Sequence, residues 1–167
     1  MKRKRQIIIQ LAIIIIFGAV LFHNSGLFIT PEEFLYANEM GLHYGPSDEI
    51  ILKEEHSNGD LLIIGKIGDD ALSIGEGKRV LMFFWGMPGG GFTGYRPIRQ
   101  DRQLMAEYLQ RFRTVVGLTD NKDIKEVEFN LRYDGDNIVA TERASVDDKG
   151  FFRVNLDDGI FSEIEEK

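Results

Sequence analysis

Residues 49–67, EIILKEEHSNGDLLIIGKI, decide the fold class of this 167-residue chain. Two runs rich in apolar residues flank the segment Ser57-Asn58-Gly59-Asp60. An Asn-Gly pair between two such runs is a strong signal for a β-hairpin, because both residues accept the backbone angles of a tight turn. The chain is therefore expected to build a sheet from hairpins.

The rest of the chain repeats this pattern of short apolar runs separated by turn residues. Residues 76–78, Glu-Gly-Lys, are expected to form a turn before the run 80–85. That run is apolar at every position, which predicts a central strand covered on both faces. Further strands are expected at 71–75, 114–118, 124–133, 138–146 and 151–156.

Two short helices are also expected. Thr30 suits an N-cap, and Glu33 can close a capping box, so a helix is predicted at 31–40. This helix either docks on a partner in the membrane plane or packs on the following domain, and packing is favoured. In residues 102–112 the apolar positions recur at helical spacing, which suits a second helix, and a strand is the alternative that stays open.

The N-terminus has the pattern of a membrane anchor. Lys2, Arg3, Lys4 and Arg5 precede the apolar run of residues 7–22. The basic cluster predicts a cytoplasmic N-terminus and an extracytoplasmic C-terminal domain. The run reaches about 24 Å as a helix, a little short of a ~30 Å bilayer core. An uncleaved anchor is favoured over a cleaved signal peptide, which would give a secreted domain, because no small-x-small cleavage site follows.

These features predict a mainly β (α+β) protein. It has an N-terminal transmembrane helix, a short juxtamembrane helix, and a β-sandwich-like or curled antiparallel sheet domain of about seven strands. The expected divisions are a cytoplasmic basic start and anchor (1–23), a linker with the short helix (24–48), a β-rich extracytoplasmic domain (49–161) and a charged, frayed tail (162–167).

Composition excludes several classes of function. The chain has no cysteine, so disulfides, thiol catalysis and cysteine-based zinc sites are excluded. After residue 5, 16 basic residues face 27 acidic ones. A body this acidic repels phosphate backbones, so nucleic acid is not an expected partner.

Two motifs suggest catalysis or nucleotide binding, and neither is complete. Residues 71–75, Ala-Leu-Ser-Ile-Gly, differ at one position from a nucleophile elbow, but all three histidines precede Ser73 and no helix is expected after it. The glycine run 89–91 invites comparison with a phosphate loop, but Pro97 prevents a helix from following directly. No catalytic residue or cofactor is assigned.

Metal binding also has little support in the sequence. His43 and His56 are 13 residues apart, and no close pair of histidines fixes two ligands on one element. The acidic turns 134–137 and 147–150 do not follow the twelve-residue calcium loop, and ordinary hairpin turns explain them. No metal site is assigned.

The glycine-rich segment 86–94, GMPGGGFTG, is expected to be an irregular loop. Its aromatic residues and neighbours, Trp85, Phe92 and Tyr95, have two interpretations. They pack over the core, which is favoured, or they form a candidate partner-binding edge.

The chain consists of a basic start, an apolar anchor, a capped helix and a β-rich domain with a glycine-rich loop. In this layout, and in the segments 30–33, 85–95 and 117–127, it resembles small uncharacterised membrane-anchored extracytoplasmic proteins of Gram-positive bacteria. Residues 145–152 also resemble a hairpin of transthyretin-like and immunoglobulin-like sandwich domains. These resemblances imply topology and host type, and no activity.

The favoured hypothesis is a membrane-tethered extracytoplasmic domain that binds a protein, peptide or envelope component without catalysis. The first alternative is a carboxylate-dependent enzyme acting outside the membrane. The second is a regulatory protein whose apolar helix pairs laterally with another membrane protein.

Overall fold

The computed structural model describes residues 2–42, 44–80, 83–87, 92–99, 103–132, 138–156 and 163–166. Within these ranges it contains two α-helices, eleven strands and one 3-10 helix. The elements are α1 (Lys2–Asn24), α2 (Pro31–Gly41), β1 (Glu49–Glu55), β2 (Asp60–Ile67), β3 (Ala71–Val80), β4 (Phe84–Gly86), β5 (Phe92–Pro97), β6 (Leu104–Leu109), the 3-10 helix (Gln110–Phe112), β7 (Thr114–Thr119), β8 (Glu126–Arg132), β9 (Ile138–Ser145), β10 (Phe151–Asn155) and β11 (Glu163–Glu166).

The strands form three antiparallel sheets that stack in layers. The first sheet has the order β1-β2-β3-β4, with β5 also paired to β3. The second has the order β10-β7-β6, and the third has the order β11-β8-β9. Strand β7 is buried at every position because the second sheet is packed on both faces. Its Val116 joins the core shared with the first sheet, and its Val115 joins the core shared with the third. The prediction of a mainly β, antiparallel fold is confirmed.

Helix α2 covers the outer face of the first sheet, and its start confirms the capping prediction. The Thr30 hydroxyl accepts a hydrogen bond from Glu33 N at 3.1 Å, and Glu33 Oε2 accepts one from Thr30 N at 3.3 Å. Phe34 and Leu35 are buried in a core with the first sheet. The prediction that this helix packs on the following domain is therefore also confirmed.

The Asn-Gly hairpin is present between β1 and β2. Asn58 Oδ1 accepts a hydrogen bond from Asp60 N at 3.0 Å, and Gly59 has φ +80°, which suits glycine. The turn before β10 is built in the same way: Asp147 Oδ1 accepts from the backbone N atoms of Lys149 and Phe151, at 2.9 and 2.8 Å. Local turn chemistry was sufficient to predict both turns, but only the first closes a hairpin, because β9 pairs with β8 and β10 pairs with β7 in another sheet.

The structure corrects the prediction for residues 76–85. Residues 76–78 belong to strand β3 and form no turn, and the expected central strand at 80–85 is replaced by the separate short strand β4. In the sequence, Gly75 and Gly77 indicated that the strand ends there. In the structure they leave room for Phe34 of α2, since a Cβ at either position would lie 3.3 Å from Phe34 Cε1.

Of the two alternatives for residues 102–112, the α-helix is not formed, because strand β6 and the 3-10 helix occupy residues 104–112. Met105 and Leu109 face the core with the first sheet, while Ala106 and Tyr108 face the third sheet. A strand packed between two layers places apolar residues on both faces. Apolar and polar residues then no longer alternate along the strand, and the apolar positions can match the spacing of a helix.

Two expectations on irregular segments also change. The tail 162–167, expected to be frayed, contains β11, whose Glu163 pairs with Arg132 of β8. Strand β5 begins inside the glycine-rich segment, at Phe92. The acidic turn 134–137 and the glycine run 89–91 lie outside the described residues.

Helix α1 contains the apolar run that predicted a membrane anchor. The large apolar side chains described between residues 7 and 20 are all at least half exposed. Among the described residues, no helix meets the length and apolarity required to span a membrane.

Candidate functional site

The structure separates the residues of the candidate partner-binding edge. Trp85 pairs with Arg79 and Tyr95 pairs with Ser73, so their partners lie six residues apart on β3. At about 3.3 Å per residue, this places the two aromatic residues some 20 Å apart along the sheet. Phe92 lies between them in sequence, at the start of β5.

The environments of Trp85 and Tyr95 also differ. Trp85 is only 6% exposed, packs in the core under α2, and has the Arg79 guanidinium 5.1 Å from its ring centroid. Tyr95 is half-buried and stacks on Tyr44, with 4.7 Å between ring centroids. For Trp85 the favoured interpretation, packing over the core, describes its position.

Ser73, the serine of the incomplete nucleophile elbow, lies in the middle of β3 and is fully buried. Its hydroxyl oxygen has no hydrogen-bond partner. A nucleophile elbow needs a sharp strand-to-helix turn that exposes the serine, and β3 continues past it as a regular strand. The structure therefore gives Ser73 no means of attacking a substrate.

The most developed cleft runs along the free side of β6, the edge strand of the second sheet. Among the described strands, β6 pairs only with β7. A cleft of about 530 Å³ separates its residues 104–107 from the end of β5, and we call it the β6 cleft. A second cleft, of about 410 Å³, lies beside the end of β6 and the 3-10 helix, and we call it the Glu76 cleft. Its lining residues are Glu76, Tyr108, Gln110 and Arg111.

An ion pair joins the two sides of the β6 cleft. Arg96 of β5 donates to Glu107 of β6 through Nε, at 3.0 Å, and through Nη2, at 3.3 Å. Arg99, on the lining of the same cleft, is exposed and makes no hydrogen bond or ion pair with another described residue. Within the described part of the chain, the Arg99 guanidinium in the β6 cleft is therefore available to a ligand.

Glu76 places a carboxylate in the second cleft. It alternates with the core residues Leu72 and Ile74, so it faces the second sheet, and it is 8% exposed. Glu76 makes no hydrogen bond or ion pair with another described residue. Burial raises the pKa of its carboxyl group, and nearby Asp60 and Glu107 act in the same direction, while Arg111 opposes them.

Arg111 is hydrogen-bonded to Asp60 and acts on Glu76 through its charge. Its Nε donates to Asp60 Oδ2 at 2.9 Å, and its Nη2 donates to Asp60 Oδ1. Hydrogen bonding from Arg111 lowers the pKa of Asp60, although burial partly opposes this effect. Asn58 also donates to Asp60 Oδ2, at 2.9 Å. Within the described residues, the site therefore contains one carboxylate that is hydrogen-bonded, Asp60, and one that is not, Glu76.

A third cleft, of about 320 Å³, lies among the loops at the other end of the strands, and ion pairs hold Lys66, Asp69 and Lys149 of its lining. Lys66 Nζ donates to Asp69 Oδ1 at 3.0 Å and to the backbone oxygen of Lys149 at 3.1 Å. Lys149 in turn donates to Glu49, which raises the pKa of the lysine. These contacts serve to join loops, so the cleft is a weaker candidate for ligand binding.

Metal binding gains no support from the geometry. No group of three or more His, Asp or Glu side chains within the described ranges is placed to hold a metal ion. His56 lies with Nε2 3.8 Å from Glu54 Oε1 and with its ring 5.2 Å from that of Phe112. His43 lies outside the described residues.

Sequence reasoning missed Glu76 because it assigned residues 76–78 to a turn. The signal that could have found it is the alternation Leu72-x-Ile74-x-Glu76, which places a carboxylate on the inward face of a strand. Asp60 was named only as part of the hairpin turn, and Arg111 only as part of a predicted helix. Their ion pair joins residues 51 positions apart, so no local pattern indicates it.

Comparison with known proteins gives no relative for this fold and site: no protein-family model, curated protein or solved structure matches the chain.

Proposed function

We propose that this chain is a membrane-tethered extracytoplasmic domain that binds an extended peptide segment, from a protein or an envelope component, along the free edge of β6. The observation that carries the proposal is Glu76, a buried residue whose carboxylate lines a cleft near an edge strand and makes no hydrogen bond with another described residue. An edge strand offers unpaired backbone groups to an added strand, and neighbouring pockets select its side chains.

The charges of the two clefts specify the ligand. Among the described residues, no ion pair is formed by Glu76 or by Arg99, which lies near the opposite end. Ala71 pairs with Pro97, so these charges are separated by at least the five residues from Ala71 to Glu76, about 16 Å. A peptide of about six extended residues spans this distance. We expect a basic side chain at Glu76 and an acidic side chain at Arg99.

Fluorescence anisotropy with labelled hexapeptides tests this proposal. Peptides with lysine and aspartate at opposite ends are compared with the same peptides lacking both charges. Glu76→Gln should weaken binding of the charged peptides about tenfold or more, since a hydrogen bond to a charged group contributes about 1.5–3 kcal/mol. Glu128→Gln is the matched control, because Glu128 lies in the third sheet and pairs with Arg143.

Two outcomes would contradict the peptide proposal. One is the absence of binding to every charged hexapeptide by the full chain. The other is equal affinity of the wild type and the Glu76→Gln variant, which would remove Glu76 from the site.

Membrane attachment through α1 is the second part of the proposal. It rests on the basic cluster at residues 2–5, the apolar run 7–22, and the exposure of the large apolar side chains described between residues 7 and 20, each at least half exposed. The run is short, and a short helix is accommodated by thinning of the bilayer and by flanking Lys and Arg side chains that reach the headgroups.

Alkaline extraction of membranes tests the attachment. Wild-type chain should remain in the membrane pellet, and Ile14→Arg should release it, because arginine at the centre of an inserted helix costs about 2.5–3.5 kcal/mol. Tyr36→Arg, on the exposed face of α2, is the control and should stay in the pellet. N-terminal sequencing completes the test: a mature start near Ser25 or Leu27 would show a cleaved signal peptide and a secreted domain.

The enzyme alternative has one observation in its favour. Glu76 and Asp60 share a site, and their environments shift the two pKa values in opposite directions, as in sites that pair a general acid with a base. Against it, Arg111 and Asn58 occupy both oxygens of Asp60. Mass spectrometry of the bound hexapeptides decides: cleavage by wild type that is lost in Glu76→Gln would establish an enzyme.

The lateral-partner alternative places the specificity in α1. A Cβ added at Gly18 would meet no atom within 4 Å, so this face of the helix is open to a neighbour. Exchange of residues 7–22 for an unrelated anchor should leave function intact under our proposal, and loss of function would favour a lateral partner.

A further inference from the structure

A group of exposed apolar side chains lies where α1 leads into the sheets. Ile29 is 60% exposed, Phe83 is 71% exposed, and Met87 is 51% exposed. Phe83 and Met87 are the second residues on either side of Trp85 in sequence. Ile29 follows Phe28, and we call these three side chains the β4 patch.

Backbone pairing places the three residues at one edge of the first sheet. Phe28 N donates to Trp85 O at 2.8 Å, and Trp85 N donates to Phe28 O at 2.7 Å. Ile29 follows the residue that is paired with β4, and Phe83 and Met87 flank that strand. Exposed large apolar side chains along one edge mark an interaction surface.

The position of the patch identifies its occupant. Asn24 ends α1, and only residues 25–27 separate it from Phe28. Those residues and their peptide links span at most about 14 Å even when fully extended, which holds the patch close to the end of the apolar helix. Covalent continuity with α1 therefore points the patch toward the surface into which that helix inserts.

The charges around the patch fit a lipid surface. Lys78 is exposed, and its backbone pairs with Gly86 of β4. Arg79, whose backbone pairs with Trp85, forms an ion pair with Glu55. The chain as a whole is acidic, so an exposed lysine beside exposed apolar groups distinguishes this edge from the rest of the body. Apolar side chains flanked by basic ones are the composition of segments that lie in the bilayer interface.

We propose that the β4 patch inserts into the outer bilayer interface and holds the domain in one orientation on the membrane. This inference rests on the proposed anchoring through α1. Strand β1 forms the opposite edge of the first sheet, so docking through β4 turns β1 away from the lipid. The domain then contacts the membrane surface through the β4 edge of the first sheet.

Trp85 allows the test to be made on the unaltered chain, because it is the one tryptophan in the sequence. The full chain is reconstituted into vesicles of phosphatidylcholine and phosphatidylglycerol that carry a nitroxide at a shallow or a deep acyl position. The shallow label should quench Trp85 emission at least about twofold more than the deep label, because interfacial groups insert only about 5–10 Å. Phe83→Ser combined with Met87→Ser should abolish this difference.

A second measurement does not depend on tryptophan. The chain contains no cysteine, so Met87→Cys provides a single labelling site for a polarity-sensitive dye, and Ile50→Cys on β1 provides the control. Both positions are exposed in the wild type, so dye attachment should leave the fold intact. The emission of the dye at position 87 should shift to the blue on reconstitution, and that of the dye at position 50 should not.

The outcomes separate this inference from the anchoring proposal. A chain that fails to float with vesicles would overturn the anchoring through α1. A chain that floats, but whose Trp85 is not quenched by either label and whose position 87 dye does not shift, would overturn the docking of the β4 patch alone.

Discussion

Phe28 and Trp85 exchange two backbone hydrogen bonds, with N–O distances of 2.8 and 2.7 Å, and so attach the segment after α1 to the edge strand β4. The connection between α1 and the sheets is reduced to residues 25–27. A pair of backbone hydrogen bonds on an edge strand also protects part of that edge from pairing with another chain.

Phe34 should contribute more to stability than any exposed residue of α2. Its side chain is fully buried between the helix and the first sheet, so Phe34→Ala should lower the free energy of unfolding by about 3–5 kcal/mol. Tyr36, two residues later and 53% exposed, is the matched control, and Tyr36→Ala should change it by less than about 1 kcal/mol. Urea unfolding followed by Trp85 emission measures both, and equal losses would contradict the assignment.

Gly117 should not tolerate a side chain. A Cβ at this position of β7 would lie 2.1 Å from Phe152 Cζ and 2.3 Å from Met105 O. Gly117→Ala should therefore destabilise the chain by about 2–3 kcal/mol or more, since overpacking forces both neighbours to move. Gly41→Ala provides the comparison, because nothing lies within 4 Å of its added Cβ. Thermal unfolding should separate the two variants clearly, and similar midpoints would refute the packing of β7 between two sheets.

Asp60 should stabilise the fold in its ionised form. Its pKa is lowered in the folded state by hydrogen bonding from Arg111, so its contribution is present above the unfolded pKa and is lost as the pH falls through the folded one. Asp60→Asn should cost about 1–2 kcal/mol at neutral pH. Its unfolding free energy should approach that of the wild type in strong acid. A constant difference at all pH values would argue against an ion pair.

Glu76 should have the opposite effect on stability. Burial raises its folded pKa, so the protonated form is favoured, and stability falls as the pH rises from the unfolded pKa through the folded one. Glu76→Gln should therefore equal or exceed the wild type in unfolding free energy at neutral pH and lose this part of the pH dependence. Proton titration by NMR of the labelled glutamate checks the direction directly. Destabilisation by Glu76→Gln at neutral pH would mean that the carboxylate is satisfied within the fold.

Comparison of Glu76→Gln with Asp60→Asn also distinguishes an effect on peptide binding from an effect on folding stability. Under the proposed function, Glu76→Gln loses peptide affinity while it keeps or gains stability, because a binding site often retains an unsatisfied group at a cost to the fold. Asp60→Asn, in contrast, loses stability because it leaves Arg111 unpaired. A variant series in which affinity and stability fall together would assign both residues to structure.

The sequence by itself determined the elements that depend on neighbouring residues. Thr30 and Glu33 specify the start of α2, and Asn58-Gly59 specifies the first hairpin, because capping and turn formation involve atoms only a few positions apart. The alternation of Val127 and Phe129 with polar residues specified β8 in the same way. The basic cluster and the apolar run of α1 likewise follow from composition alone, and their membrane role stays a prediction.

Only the tertiary structure decided how the layers stack and what the site contains. Strand β6 shows no alternation of apolar and polar residues because two sheets bury its two faces. Strand β3 continues through the Glu-Gly-Lys segment because the glycines beside Phe34 leave space for its ring. The pairing of Asp60 with Arg111 beside Glu76 brings together two strands, β2 and β3, and the 3-10 helix. Such contacts depend on the packing of the whole domain, and the local preferences of neighbouring residues do not determine them.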